Sequence, residues 1–103
     1  MGILGSRDKR APGIDLRSLD FTNANLRGVD LSFANLEGAV LTGADLREAC
    51  LRNANLRNAN LSYSNLWGAD LREANLDGAT FYPCQMPENA GKLWGAKITQ
   101  LLI

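Results

Sequence analysis

Large apolar side chains return at every fifth residue through most of this chain. Fourteen such positions run from Leu16 to Phe81, and twelve of them are Leu. Residues five apart point about 140° away from each other on an α-helix, and in a strand an odd step sends alternate side chains to opposite faces. Since neither element buries such a row, the chain is expected to turn between one apolar residue and the next. The predicted core consists of Leu16, Phe21, Leu26, Leu31, Leu36, Leu41, Leu46, Leu51, Leu56, Leu61, Leu66, Leu71, Leu76 and Phe81.

The residues on either side of each central apolar position are also restricted. Numbering the five positions −2 to +2 around the centre, Ala stands at −2 in ten of the fourteen units, and Asp or Asn stands at −1 in eleven. Asp and Asn side chains hydrogen-bond to nearby backbone groups, and Gly or Asn, which recur at +2, favour tight turns. The exceptions at −2 are Ile14, Leu19, Val29 and Ser64, and those at −1 are Val40, Cys50 and Thr80.

This arrangement resembles the pentapeptide-repeat family, whose motif is A(D/N)LXX. The resemblance covers residues 14–83 without an insertion or deletion, and residues 84–88 read as a degenerate further unit with Cys84 at −2 and Met86 at the centre. It implies an all-β solenoid, a right-handed quadrilateral β-helix in which each pentapeptide forms one side of a square coil. Positions −2 and 0 would then both point into a narrow interior. We therefore expect a β-helix of about 3.5 coils over residues 14–88.

The two ends of the chain are expected to differ from the solenoid. Residues 1–13 are predicted to form a separate, flexible N-terminal segment. In residues 89–103, apolar residues recur at spacings of three and four, which predicts a short amphipathic α-helix, although Gly91 and Gly95 disfavour it. We expect this helix to cap the last coil, because solenoids need covered ends. The alternative is a contact between two copies of the chain through the C-terminal segment. The apolar residues of the tail include Leu93, Trp94, Ile98, Leu101 and Leu102.

Three aromatic residues stand at outward positions near the C-terminal end of the repeats. Stacking by twenty residues places Tyr63 against Tyr82, with Trp67 around the next corner. These side chains are predicted to form a platform either for the tail helix or for a protein partner. The tail is the favoured occupant because it carries a matching apolar face.

Charge argues against a nucleic-acid ligand. The chain has 11 basic and 11 acidic residues, so its formal net charge is zero, and no global field attracts nucleic acid or an acidic membrane. At one corner, Arg17, Glu37, Arg57 and Asp77 alternate in sign and are expected to pair between coils. Other corners collect arginines that either meet an anionic partner or are solvated and interleaved with Glu48 and Glu73. Those arginines are Arg27, Arg47, Arg52 and Arg72.

The sequence offers no catalytic constellation. It contains no His, no phosphate-binding glycine motif and no metal-ligand spacing. We therefore expect no enzymatic activity and no cofactor. Cys50 replaces Asp or Asn at −1 between Asp30 and Asp70 and is interpreted as a neutral substitution. A disulfide between Cys50 and Cys84 is not expected, since Cys84 should point inward on a different side.

Two features bear on location. No run of 18 apolar residues predicts a transmembrane helix, and the start lacks the apolar core of a signal peptide, so a cytoplasmic location is expected. The first residues fit a myristoylation pattern through Gly2 and Ser6. In a eukaryotic protein a lipid on Gly2, together with the basic residues that follow, would give a membrane anchor.

These observations predict a non-enzymatic scaffold or protein-interaction module. The family resemblance implies one alternative, a DNA-mimicking binder of type II topoisomerase (gyrase), a role tied to longer and clearly acidic dimeric rods. A second alternative is a regulatory or membrane-associated subunit of a larger assembly.

Overall fold

The computed structural model describes residues 13–87 and 90–98. Within these residues the one helix is a 3₁₀-helix, Ala90–Leu93. The chain pairs through isolated parallel β-bridges, each a single residue long, and these residues contain no longer strand. From residue 15 to residue 80, each five-residue unit supplies one bridged residue at position −1 and a turn at positions +1 and +2.

Four five-residue units make one coil. The bridges join residues that are twenty apart, as Asp15 with Asn35 and Asn35 with Asn55. Hydrogen bonds follow the same spacing: the N–H of Leu36 donates to the carbonyl of Asn55 at 2.7 Å. Backbone donors and acceptors are therefore satisfied between coils, as a buried backbone requires. A four-sided coil with five residues per side explains why the apolar period suits neither a helix nor a strand.

A tight turn separates one side from the next. The N–H of Ala39 donates to the carbonyl of Leu36 at 3.0 Å, which closes a four-residue turn. The residue at +2 has positive φ, for example 69° at Gly38, which is the mark of a type II turn and favours Gly there. Larger residues adopt the same backbone in other units, with φ of 63° at Phe33 and 61° at Tyr63.

The interior is a continuous column of apolar side chains. All fourteen central residues are buried, and those in the middle of the stack, such as Leu51 and Leu56, are 0% exposed. The Ala side chains at −2 are buried beside them from residue 34 onward. In the first coil, position −2 holds the larger Ile14, Leu19 and Val29, and Leu19 is 46% exposed. Leu19 fits there because it lies at the edge of the described stack, whereas Val29 is buried at 4% exposure and packs with the core.

The prediction of a C-terminal α-helix is wrong over residues 90–98. Lys97 forms a parallel bridge with Asn75, and the N–H of Leu71 donates to the carbonyl of Lys92 at 2.8 Å. Gly95, with φ of 75°, occupies the +2 position of a turn. These residues therefore extend the stack of coils.

A change of register accompanies this extension. The bridge between Asn75 and Lys97 spans 22 residues, where the preceding bridges span 20. The two extra residues fall between Met86 and Leu93, where the 3₁₀-helix Ala90–Leu93 lies. The tail pairs with the last coil rather than forming an α-helix, because the N–H and C=O groups of that coil require hydrogen-bond partners. Gly91 and Gly95 also disfavour a helix. The predicted N-terminal segment up to residue 12, including Gly2, lies outside the described residues, as do Leu101 and Leu102.

Candidate interaction surface

Most polar side chains at position −1 hydrogen-bond to the backbone of their own turn. The Oδ1 of Asn35 accepts a hydrogen bond from the backbone N–H of Glu37 at 3.1 Å, and Asn75 does the same for Asp77 at 3.0 Å. This local bond is an Asx-turn, which Asp and Asn favour because their short side chains reach the backbone two residues on. The same bond forms at Asp15, Asp20, Asn25, Asp30, Asp45, Asn55, Asn60, Asn65 and Asp70.

Three of these aspartates also hold an arginine at position +1 of the same turn. Both carboxylate oxygens of Asp70 accept from Arg72, at 2.8 Å from Nε and 2.6 Å from Nη2. The hydrogen bond from Arg72 lowers the pKa of Asp70. The equivalent pairs are Asp15 with Arg17 and Asp45 with Arg47.

The predicted pairing between coils does not occur at Arg17. Its guanidinium binds Asp15, two residues earlier, at 2.9 Å, rather than Glu37 in the next coil. The pair with Asp15 is favoured because the Asp15 carboxylate is already held by its own turn. A forked geometry with two hydrogen bonds therefore forms with little further loss of side-chain entropy.

Three of the four arginines at these corners pair with carboxylates, whereas Arg52 forms no ion pair with a described residue. Arg47 and Arg72 are paired with their own aspartates, and Arg27 lies 3.7 Å from the carboxylate of Glu48. This arrangement favours the interpretation of a solvated, interleaved face over a site for an anionic partner.

The pair of Asp45 and Arg47 predicts a pH dependence of stability. The hydrogen bond from Arg47 lowers the pKa of Asp45 to about 2, so the stabilisation is fully present above the unfolded pKa and is lost as the pH falls from about 4 towards 2. We expect Asp45→Asn, which keeps an acceptor for the turn, to lower stability by about 1 kcal/mol or less at pH 7, since the pair is partly exposed. Urea unfolding of both proteins between pH 7 and 2.5 measures this. The difference should shrink with acidification, and a difference that stays constant would show that the ion pair contributes nothing.

The two cysteines occupy different environments. Both are free thiols. Cys50 is half-buried at position −1 and is bridged to Asp30 and Asp70 in the neighbouring coils. Cys84 lies at position −2, where its Sγ is 3.4 Å from the Oγ of Ser64. Burial raises the pKa of the Cys84 thiol.

The aromatic side chains form the main apolar feature of the outer surface. Tyr63 is 71% exposed and Tyr82 is 77% exposed at the same corner in successive coils, and the N–H of Tyr63 donates to the carbonyl of Pro83. Trp67, at the next corner, is 39% exposed. We call Tyr63, Trp67 and Tyr82 the aromatic patch.

The tail segment 92–98 does not cover the aromatic patch, contrary to the favoured interpretation of the sequence. Leu93 and Ile98 pack against the core as the central residues of two further sides of the stack. Trp94 is 70% exposed at position +1 of another corner, next in its column to Arg72. The sequence did carry the signal for this outcome, because LWGAKI at 93–98 repeats LWGADL at 66–71.

The aromatic patch lies on two segments that carry no charged residue of their own, and the Nζ of Lys92 donates to the carbonyl of Gly68, next to Trp67, at 3.4 Å. Residues 59–68 and 78–87 contain no charged residue and stack on each other, whereas the preceding segment in the same column, 39–48, contains Asp45, Arg47 and Glu48. A shallow depression of about 410 Å³ lies beside the tyrosines. It is lined by Tyr63, Ser64, Asn65, Pro83, Cys84 and Gln85.

Two further observations apply to the described part of the chain. No helix among residues 13–87 and 90–98 is long and apolar enough to cross a membrane. In the same residues, no three Cys, Asp or Glu side chains are grouped as metal ligands.

Comparison with known proteins identifies several relatives. A family model described as pentapeptide repeats matches residues 20–58 and 54–86, with eight copies.

A solved pentapeptide repeat protein from Nostoc is 31% identical, with a TM-score of 0.50, over 95% of this chain and 91% of that one. A pentapeptide repeat protein from the Arabidopsis thaliana thylakoid lumen is 28% identical, with a TM-score of 0.50, over 88% of this chain and 63% of that one. QnrB1, a plasmid-mediated fluoroquinolone resistance protein, shares the fold at 23% identity and a TM-score of 0.53, over 75% of this chain and 45% of that one. A search of curated proteins found no match.

Proposed function

This chain belongs to the pentapeptide repeat family, and we propose that it is a non-enzymatic scaffold that binds a protein partner. Members of the family fold as right-handed quadrilateral β-helices, in agreement with the four-sided coil described above. In this fold the side chains at −2 and 0 pack in the core, and those at −1 hydrogen-bond within the turns. Recognition therefore depends on the side chains at +1 and +2, which face the solvent.

The aromatic patch is the observation that supports this proposal best. Tyr and Trp are enriched at protein interfaces because they bury a large area while keeping a polar group for hydrogen bonding. Tyr63 and Tyr82 are each more than two-thirds exposed, and the coils hold them at fixed positions, so little conformational entropy is lost on binding.

A capture experiment tests the proposal. The wild type, Tyr63→Ser/Tyr82→Ser and the control Phe33→Ser are immobilised, and the proteins retained from an extract of the source cells are quantified. Phe33 is a matched control because it is 63% exposed and has the same backbone conformation at a distant corner. We expect a partner that the wild type and the control retain and that the double variant binds at least about tenfold more weakly, since each interface aromatic contributes about 1 kcal/mol or more. Retention of every partner by the double variant would remove the aromatic patch from the proposal.

The gyrase-binding alternative has less support from the charges. The described residues carry nine acidic and eight basic side chains, whereas duplex DNA presents about three phosphate charges over the rise of one coil, about 4.8 Å. A surface with almost no net charge does not reproduce the negative electrostatic field of duplex DNA. Gyrase supercoiling measured with the chain in excess separates the two hypotheses, because a scaffold for another partner leaves the rate unchanged and a DNA mimic inhibits it.

Two finer proposals remain open to direct measurement. A homodimer formed through the C-terminal segment would appear in light scattering as twice the mass of the chain. A regulatory or membrane-associated role would depend on the N-terminal segment and would appear as vesicle binding that requires a lipid on Gly2.

A further inference from the structure

Two sulfur atoms meet inside the solenoid near its C-terminal end. The Sγ of Cys84 lies 3.9 Å from the Sδ of Met86, and both residues pack against the core while remaining partly exposed. They meet because Cys84 occupies position −2 and Met86 the centre of the same unit, and both positions point inward in this fold. In the regular units this pair is Ala and Leu, which carry no donor atom.

We propose that Cys84 and Met86 form a binding site for one soft monovalent cation of the Cu(I) class. Thiolate and thioether sulfurs are the ligands that such cations prefer. Two metal–sulfur bonds of about 2.3 Å that meet at about 120° span about 4.0 Å, close to the observed 3.9 Å. The cation can therefore enter between the two sulfurs with little movement of the backbone.

The surroundings of the pair suit a site that exchanges its cation. Cys84 and Ser64 line the depression of about 410 Å³ beside Tyr63 and Pro83, so the Cys84 sulfur can be reached from it, and Met86 is itself partly exposed. The Ser64 hydroxyl, 3.4 Å from Sγ, can donate a hydrogen bond to the thiolate, which stabilises its negative charge. Two protein sulfurs leave the third position of a trigonal site open to a small ligand in the depression.

Binding requires the loss of one proton. The Cys84 S–H bond breaks, a sulfur–metal bond forms and the proton passes to solvent, while Met86 contributes a lone pair with no change of protonation. Affinity is therefore expected to rise with pH, with one proton released for each cation bound.

Cys50 provides an internal reference. It is the only other cysteine of the chain, and its bridge partners are Asp30 and Asp70, whose oxygens are hard ligands that suit a soft cation poorly. A thiol without a thioether neighbour should therefore lose a competition against the sulfur pair.

A competition titration tests the site. Reduced protein is titrated without oxygen against Cu(I) held by a chromophoric chelator. We expect one tight equivalent in the wild type, at least about tenfold weaker binding in Met86→Leu, no tight binding in Cys84→Ser and no change in Cys50→Ser. Met86→Leu nearly conserves volume and should keep the fold, which circular dichroism verifies. Unchanged affinity in Met86→Leu, or loss of the tight equivalent in Cys50→Ser, would overturn the proposal.

A second measurement needs no variant. One equivalent of Cu(I) is added to the wild type, and alkylation of each cysteine by iodoacetamide is followed by mass spectrometry. We expect protection of Cys84 by at least about tenfold, with Cys50 alkylated at its original rate, since only the sulfur pair holds the cation. Equal protection of both cysteines, or protection of neither, would show that the sulfur pair holds no preferred cation.

Discussion

Leu51→Ala is expected to lower the free energy of unfolding by about 3 kcal/mol. Leu51 is 0% exposed and lies in one column with Leu31 and Leu71, in the coils on either side. The substitution leaves a cavity that the backbone cannot move to fill. The N–H of Leu51 donates to the carbonyl of Asp70 at 2.8 Å, and hydrogen bonds of this kind hold the coils in register. Urea unfolding followed by circular dichroism measures the loss.

Leu19→Ala is the matched control for this substitution. It removes the same atoms from a side chain that is 46% exposed at the edge of the described stack, so its effect should stay within about 0.5 kcal/mol. Similar losses at Leu19 and Leu51 would contradict the view that the closed column of side chains, rather than leucine content, stabilises the solenoid.

Ala54→Leu is expected to destabilise the protein by about 1–3 kcal/mol, although it adds apolar surface. Ala54 is 1% exposed and points inward beside Leu56, in an interior whose width is set by hydrogen bonds between coils. The added side chain can be accommodated only by moving backbone or by leaving a favoured rotamer, and both cost free energy. The same unfolding experiment gives the loss.

Ala24→Leu makes the same change where space is available. Ala24 is half-buried in the first coil, whose other −2 positions hold Ile14, Leu19 and Val29. We therefore expect a change within about 0.5 kcal/mol of the wild type. An equal loss at Ala24 and Ala54 would mean that the preference for Ala at −2 comes from the local turn and has no connection with the width of the interior.

Most of the fold could be predicted from the sequence because its determinants are local and repeated. The row of central apolar residues required a turn after every five residues, and Asn or Asp at −1 with Gly or Asn at +2 indicated how each turn is made. The backbone contains these features, as the Asx-turn at Asn35 and the positive φ at Gly38 illustrate. Because every unit shows the same pattern, an incorrect interpretation of one unit does not change the predicted fold.

The C-terminal tail could not be predicted from its local pattern. Spacings of three and four favoured an α-helix, but residues 92–98 pair with the coil before them after a shift of two residues. The free energy of that pairing depends on a neighbouring coil, which a periodicity confined to the tail does not include. Comparing LWGAKI with LWGADL would have indicated the pairing, since both place Gly at +2 and Ala at −2.

For the candidate surface, the twenty-residue stack already predicted that Tyr63 would lie against Tyr82, and the tertiary structure decided that residues 92–98 leave both tyrosines exposed. The pairing of Arg17 with Asp15 was decided by the orientation of a side chain already held in its turn.

By itself, the sequence determined the repeating side, its turn and its inward residues, because those depend on contacts within five residues and on a pattern repeated many times. Only the tertiary structure decided how the stack ends and which carboxylate pairs with Arg17. The end of the stack depends on pairing with the coil before it, and the partner of Arg17 depends on how its own turn holds Asp15, neither of which the five-residue period specifies.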